Sequence, residues 1–196
     1  GRARVYLVCG NDEAALLQRA PQPAALVERT AAALPPGTLA GWQPAGPTGF
    51  FPNADIVSSV IAGDRALLIG DAAGANDPSQ GHGLSLTFRD VRVLRDLLLA
   101  GPCWDGVPAE FAHKRDAGFS VLREHARWAG RLATETGPNA DAMRERVARA
   151  RELDPTAGGF AALYALGPEG LKVDEATRRR FFGDDLPLHE GLRAEG

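Results

Sequence analysis

Residues Arg65–Leu99 read RALLIGDAAGANDPSQGHGLSLTFRDVRVLRDLLL. A short apolar run, Ala66-Leu67-Leu68-Ile69, stops at Gly70-Asp71. Turn-forming residues follow (Gly74, Asn76, Asp77, Pro78, Ser79, Gly81, Gly83), and a helical pattern then begins with Leu84, Leu86, Phe88, Val91, Leu94, Leu97 and Leu98. Strand, acidic turn, glycine-rich loop and helix, in that order, is how α/β proteins build a ligand crevice at the carboxyl end of a strand. The stretch therefore predicts an α/β fold class, an α+β fragment that is mostly helical after the motif strand and keeps a few strands from its sheet regions.

The chemistry of the loop follows from its residue types. Without a Cβ, Gly81 and Gly83 let the backbone lie close to a flat or phosphorylated ligand and adopt positive φ. A helix beginning at Gly83 leaves its first N–H groups without intrahelical acceptors, and the positive end of its dipole favours negative charge near Gly83, Leu84 and Ser85. Asp71, at the end of the expected strand, offers a carboxylate that accepts from sugar-like hydroxyls. Asp90, on the helix, either pairs with an arginine or faces solvent.

The whole string resembles the second flavin-binding motif of the aromatic-hydroxylase-like FAD-dependent monooxygenases. The residues that carry the resemblance are Gly70-Asp71-Ala72-Ala73, Pro78, Gly81-His82-Gly83, then Asp90, Leu94, Leu97 and Leu98. The family usually has His after the small pair and often Gln between the glycines, where this chain has Gly74 and His82. The resemblance implies FAD as cofactor, NAD(P)H as electron donor, O2 as oxidant and an organic, often aromatic, substrate. It implies that Asp71 holds the ribityl hydroxyls and that backbone N–H groups at Gly83, Leu84 and Ser85 meet the N1–C2=O edge of the ring. Pro78 would cover the ring, and Gly81 would complete the cradle. No catalytic side chain and no metal ligand is assigned. His82 is expected to contribute its backbone while its ring points away.

Such flavoproteins also carry a strand followed by Gly-x-Gly-x-x-Gly for the FAD pyrophosphate. No such unit occurs here, and Gly158-Gly159 sits in a helical pattern. The chain is therefore expected to be the carboxyl-terminal part of a longer enzyme, with the missing pyrophosphate-binding segment of the same protein as its partner. Three regions are expected: residues 1–62, the end of a substrate-binding domain with crossover strands; 63–100, the flavin motif; and 101–196, a helical region. A related flavoprotein that is not a hydroxylase (a halogenase, reductase or dehydrogenase) stays open. So does a non-catalytic piece in which the long helices from Pro108 onward serve as an interaction or dimerisation surface, a reading that a contiguous exposed apolar face on Phe119–Leu132 would favour.

Outward from the motif, Arg4–Cys9 reads as a strand, Asn11 or Asp12 as the cap of a helix through Arg19, and Ala24–Leu34 as a second helix. Trp42, Phe50 and Phe51 are expected to pack under the loop rather than border a substrate. Ile56–Ile61 reads as a strand that turns at Ala62–Arg65 into the motif run, a hairpin-like pair. On the motif helix, Ser85–Ala100, residues Phe88, Val91, Leu94 and Leu98 form a core-facing stripe. Helices are expected over Pro108–Thr134, Asn139–Leu153, Gly159–Leu166 and Asp174–Phe182, followed by a loosely held tail from Leu186 to Gly196. On the longest, Phe111, Phe119, Leu122, Ala126, Ala129 and Leu132 are the candidate buried positions.

Composition narrows the class. At 196 residues, 44% hydrophobic and 24% charged, the chain has the make-up of a globular protein. A net charge of −3 leaves no electrostatic footprint for nucleic acid. No apolar run approaches the ~20 residues that span a bilayer. Two distant cysteines, Cys9 and Cys103, suggest reduced thiols in the cytoplasm. The four histidines lack metal-ligand spacing, and no Gly-x-Ser-x-Gly elbow is present.

Overall fold

A computed structural model describes residues 2–51, 53–63 and 66–186. It divides into two compact units, Gly1–Pro52 and Asn53–Gly196. The first unit holds α1 (Asn11–Arg19) and α2 (Ala24–Ala32). The residue before α1 that caps it is Gly10, with no side-chain cap from Asn11 or Asp12. Arg29 of α2 pairs with Glu13 of α1, and Thr30 is buried with its hydroxyl turned back onto the Leu26 carbonyl at 2.7 Å.

The second unit opens with β1 (Ile56–Val57), which pairs antiparallel with β2 (Gly74–Ala75) in the register Ile56↔Ala75 and Val57↔Gly74. Five helices follow: α3 (Gly83–Leu99), α4 (Val107–Thr134), α5 (Pro138–Leu153), α6 (Phe160–Leu166) and α7 (Glu175–Phe182). The expected starts and stops hold to within a residue or two, because each is written in local chemistry. Pro sits in the first turn of α4 and α5, where its missing N–H costs nothing. Asp174 caps α7 by accepting from the Thr177 N–H at 2.8 Å, and Gly183 ends it in the left-handed region.

α4 is the spine of this unit. At about 1.5 Å per residue its 28 residues span roughly 42 Å. Its buried face runs Val107, Phe111, Arg115, Phe119, Leu122, Ala126 and Ala129, a three-and-four spacing that keeps one side inward. The first half packs against α3, where Leu86, Phe119, Leu122 and Leu163 form one apolar cluster. The second half packs against α5 and α7, where Trp128, Ala129, Met143, Val147, Phe181 and Phe182 form another. The expected buried positions on this helix are buried except Leu132, which is partly so.

The expected α/β class is overturned. Helix covers 57% of the described residues, and the named strands form a single two-stranded antiparallel ribbon. This is an α-helical architecture. A strand's backbone groups need a neighbouring strand, and the β-rich runs have almost none. Arg4–Cys9 is irregular, with Val5, Tyr6 and Val8 exposed. The motif run Ala66–Ile69 keeps one antiparallel bridge, Leu67 to Ala62, plus the Leu68 N–H to Ile61 carbonyl bond at 2.9 Å. The chain does fold back on itself there, but as a broken ribbon and not as the edge of a sheet.

Two further expectations are corrected. Phe88 and Val91 of α3 are exposed, Leu94 and Leu98 are half-buried, and the fully buried positions are Leu86 and Asp90. The helix is turned so that Asp90 meets Arg115 of α4, which leaves Phe88 and Val91 on its outer side. Trp42 and Phe51 are exposed and Phe50 is half-buried, so this aromatic group does not form a packed layer. The expected loose tail lies, after Leu186, outside the described residues.

Candidate functional site

The loop between Gly70 and Ser85 starts with a 3-10 turn, Gly70–Ala72, where the strand had been expected to end. Gly70 has φ +56°, and a Cβ on it would stand 2.5 Å from Thr87 Oγ1. Only glycine lets the loop sit this close to α3. The small residue at 74, where the resembled family has His, has its own reason here. A Cβ on Gly74 would come within 3.0 Å of the Ile56 carbonyl and of the Phe119 ring.

Behind the loop lies the Asp90–Arg115 pair, with the two side chains 0% and 1% exposed. Arg115 Nε donates to Asp90 Oδ2 at 2.9 Å, and the same oxygen accepts the Gly70 N–H at 2.9 Å. Arg115 Nη2 donates to the Gly70 carbonyl at 2.9 Å and to the Gly74 carbonyl at 3.3 Å. The guanidinium also stacks over the Phe119 ring, 4.8 Å from its centroid. Of the two outcomes open for Asp90, pairing is the one realised.

In front of the loop, the expected site residues are on the accessible side. Asp71, Pro78, Gly81, Leu84 and Ser85 are exposed, and Gly83 is half-buried. Pro78 opens a second 3-10 turn, Pro78–Gln80, closed by the Gly81 N–H on the Pro78 carbonyl at 3.0 Å, with Gly81 at φ +69°. Asp71 and Gly83 come together: Asp71 Oδ1 lies 3.7 Å from the position of a Cβ on Gly83. No side chain caps α3, so the amides of Gly83, Leu84 and Ser85 carry the unshared donors of a helix start. Near the first of them stands the Asp71 carboxylate, which makes no hydrogen bond to another described residue.

His82, the residue before α3, behaves differently from its glycine neighbours. Its ring is 6% exposed and lies edge-on to Tyr164, with centroids 6.2 Å apart. The ring is thus buried and not presented on the exposed face of the loop. Both ring nitrogens lack a partner among the described residues, and burial holds its pKa below the usual histidine range. Asn76, also buried, has no partner for its Nδ2 among the described residues.

Sequence reasoning missed Arg115. A signal existed: it stands four residues after Phe111 and four before Phe119, so an arginine occupies the centre of an apolar stripe. His125 sits on the same stripe and is fully buried, with Nε2 2.9 Å from the Gly158 carbonyl.

Other parts of the surface offer less. An open hollow in the first unit is lined by Pro23, Ala24, Val27, Glu28 and Pro44, and one in the second unit by Glu145, Ala148, Arg149, Glu152 and Leu153, none of them a loop residue. Among the described residues no group of three His, Cys, Asp or Glu side chains could hold a metal ion. No described helix is long and apolar enough to cross a membrane. No family model, no curated protein and no solved structure matches the chain.

Proposed function

We propose that this chain is the flavin-contacting part of an FAD-dependent monooxygenase that uses NAD(P)H and O2 to hydroxylate an organic substrate. The observation that carries the reading is the pairing of Asp71 with the uncapped start of α3 on the accessible side of a loop braced from within. When bound, FAD supplies the redox chemistry, accepting electrons from NAD(P)H and delivering them to O2.

The residues present fit that cofactor in type. The Asp71 carboxylate accepts from vicinal hydroxyls, and the Gly83, Leu84 and Ser85 amides donate to an electron-rich carbonyl edge. Donors at a helix start are preorganised, and the dipole adds positive potential there. Pro78 offers an apolar ring with no N–H of its own, and Gly81 leaves its side of the loop open. A partner segment of the same protein would hold the pyrophosphate. Free thiols at Cys9 and Cys103 agree with a cytoplasmic setting.

The exposed apolar face on Phe119–Leu132 that would favour an interaction piece is not formed, since Phe119, Leu122, Ala126 and Ala129 are buried. The test is spectroscopic. The complete gene product, purified without added cofactor, is expected to absorb as a flavoprotein and to release FAD on denaturation. A colourless product that takes up no FAD on titration would sink the reading.

A further inference from the structure

We propose that Arg115 is a positioning residue: with Asp90 it fixes where Asp71 presents its carboxylate, and this rests on the flavin reading above. Asp71 itself is exposed and no described side chain holds it, so its place is set through the backbone on either side. Gly70, immediately before it, is bound at both its N–H and its carbonyl, the first by Asp90 and the second by Arg115. Gly74, three residues after it, is bound at its carbonyl by the same Arg115 Nη2. One guanidinium therefore closes the five-residue turn that carries Asp71 and ties both its ends to α4.

Only arginine can do this. Nε and Nη2 are rigidly related donors that point to the carboxylate and to the two carbonyls at once, whereas a lysine has one nitrogen at the end of a flexible stem. The pair is sealed from solvent and the carboxylate is charge-matched, so the brace is stiff. Thr87 completes it by standing against Gly70 and donating to the Gly83 carbonyl at 3.0 Å. The same side chain thus touches the turn that carries Asp71 and the residue that opens α3. Displacing the turn changes the spacing between the Asp71 carboxylate and the α3 amides, the spacing on which the proposed site depends.

The experiment compares the complete gene product with its R115K, D71A and R115K/D71A forms, and with D90N. FAD affinity is read by titration into apo-protein, and backbone exchange over residues 70–74 by hydrogen–deuterium exchange. R115K is expected to keep its helical circular dichroism, to exchange faster over 70–74, and to lose about tenfold or more in FAD affinity, as small displacements at a preorganised site do. In the D71A background the same Arg115→Lys change is expected to leave FAD affinity nearly unaltered, because its effect runs through Asp71. D90N, close in shape to the native residue, is expected to move both readouts in the same direction and carries the comparison should R115K fail to fold. Unchanged exchange over 70–74, wild-type FAD affinity in R115K, or an equal further loss in the D71A background each overturns the positioning role. A parent protein that binds no FAD strikes the flavin reading itself, and this is seen before any substitution is made.

Discussion

Arg89 of α3 lays its guanidinium on Gly118 of α4, so closely that a Cβ at 118 would stand 2.9 Å from the arginine's Cζ. The arginine is held there by Glu169, through Nε at 3.0 Å, and by the Lys114 carbonyl at 3.4 Å. Alone, Gly118→Ala in mid-helix is favourable by about 1 kcal/mol. Here it displaces a mostly buried guanidinium from its partners, a loss of about 1–3 kcal/mol. G118A is therefore expected to lower stability by about 1 kcal/mol in urea unfolding. In an Arg89→Ala background the sign reverses, and G118A stabilises. The same sign in both backgrounds would show that the contact does not govern position 118.

The Asp90–Arg115 pair makes a separate thermodynamic prediction. Removing one member of a buried pair strands the other, at a cost of about 3–5 kcal/mol. Asp90→Ala also takes the acceptor from the Gly70 N–H. D90A is expected to be destabilised within that range. D90L/R115M should recover much of the loss, since apolar replacement of a buried pair is often neutral. Denaturant midpoints of the three proteins decide the matter, and a D90A midpoint equal to the parent's contradicts the burial of the pair.

His82 and His125 predict how stability responds to acid. Burial lowers both pKa values in the folded chain, and Arg151 pushes His125 further down. In the unfolded chain each histidine titrates near its ordinary value of about 6.5. Below that value the unfolded state binds more protons than the folded one, so acidification favours unfolding. The histidine-linked stability is thus complete above about pH 6.5 and falls away as the pH drops toward the lowered folded values. Thermal melts between pH 7.5 and 5 should show this loss. His125→Gln, which can still donate to the Gly158 carbonyl now 2.9 Å from Nε2, should show a shallower one. Parallel pH profiles for the two proteins contradict the assignment.

What the sequence disclosed and what it hid divide along the range of the interactions. Helix limits were legible because their causes sit within four residues: Pro138 at the start of α5, Asp174 capping α7, Gly183 ending it. The strands were not, because Val5, Tyr6 and Val8 state a preference that only a neighbouring strand can satisfy. On α3 the apolar period pointed to Phe88 and Val91 as the inner face. The true inner face is organised by Asp90, whose partner lies 25 positions along the chain. In the loop, the resemblance put Asp71 and Gly83 into one hypothesis, and the Asp71 carboxylate lies 3.7 Å from the position of a Cβ on Gly83. Arg115, which donates to the Gly70 and Gly74 carbonyls, showed only as a charge at the centre of an apolar stripe, because its partners lie 25, 45 and 41 positions away along the chain.

Asp71 provides the sharpest test of how the loop would work. Its carboxylate stands against Gly83 with no hydrogen-bond partner among the described residues, so its removal disturbs little of the fold. Asp71→Ala is expected to leave the melting temperature within about 2 °C of the parent, as surface substitutions usually do. In the complete gene product, FAD affinity should nonetheless fall by about tenfold to a hundredfold, the loss of one or two hydrogen bonds from hydroxyls to a charged acceptor. Asp71→Asn should fall between, since the amide oxygen still accepts but without charge. The 196-residue chain by itself is expected to bind FAD weakly, because the pyrophosphate has no glycine-rich turn here to receive it. Tight, stoichiometric binding to this chain would overturn the need for a second segment, whereas an affinity in D71A equal to the parent's would remove Asp71 from the role assigned to it and leave the cofactor to the start of α3 with Pro78 and Gly81.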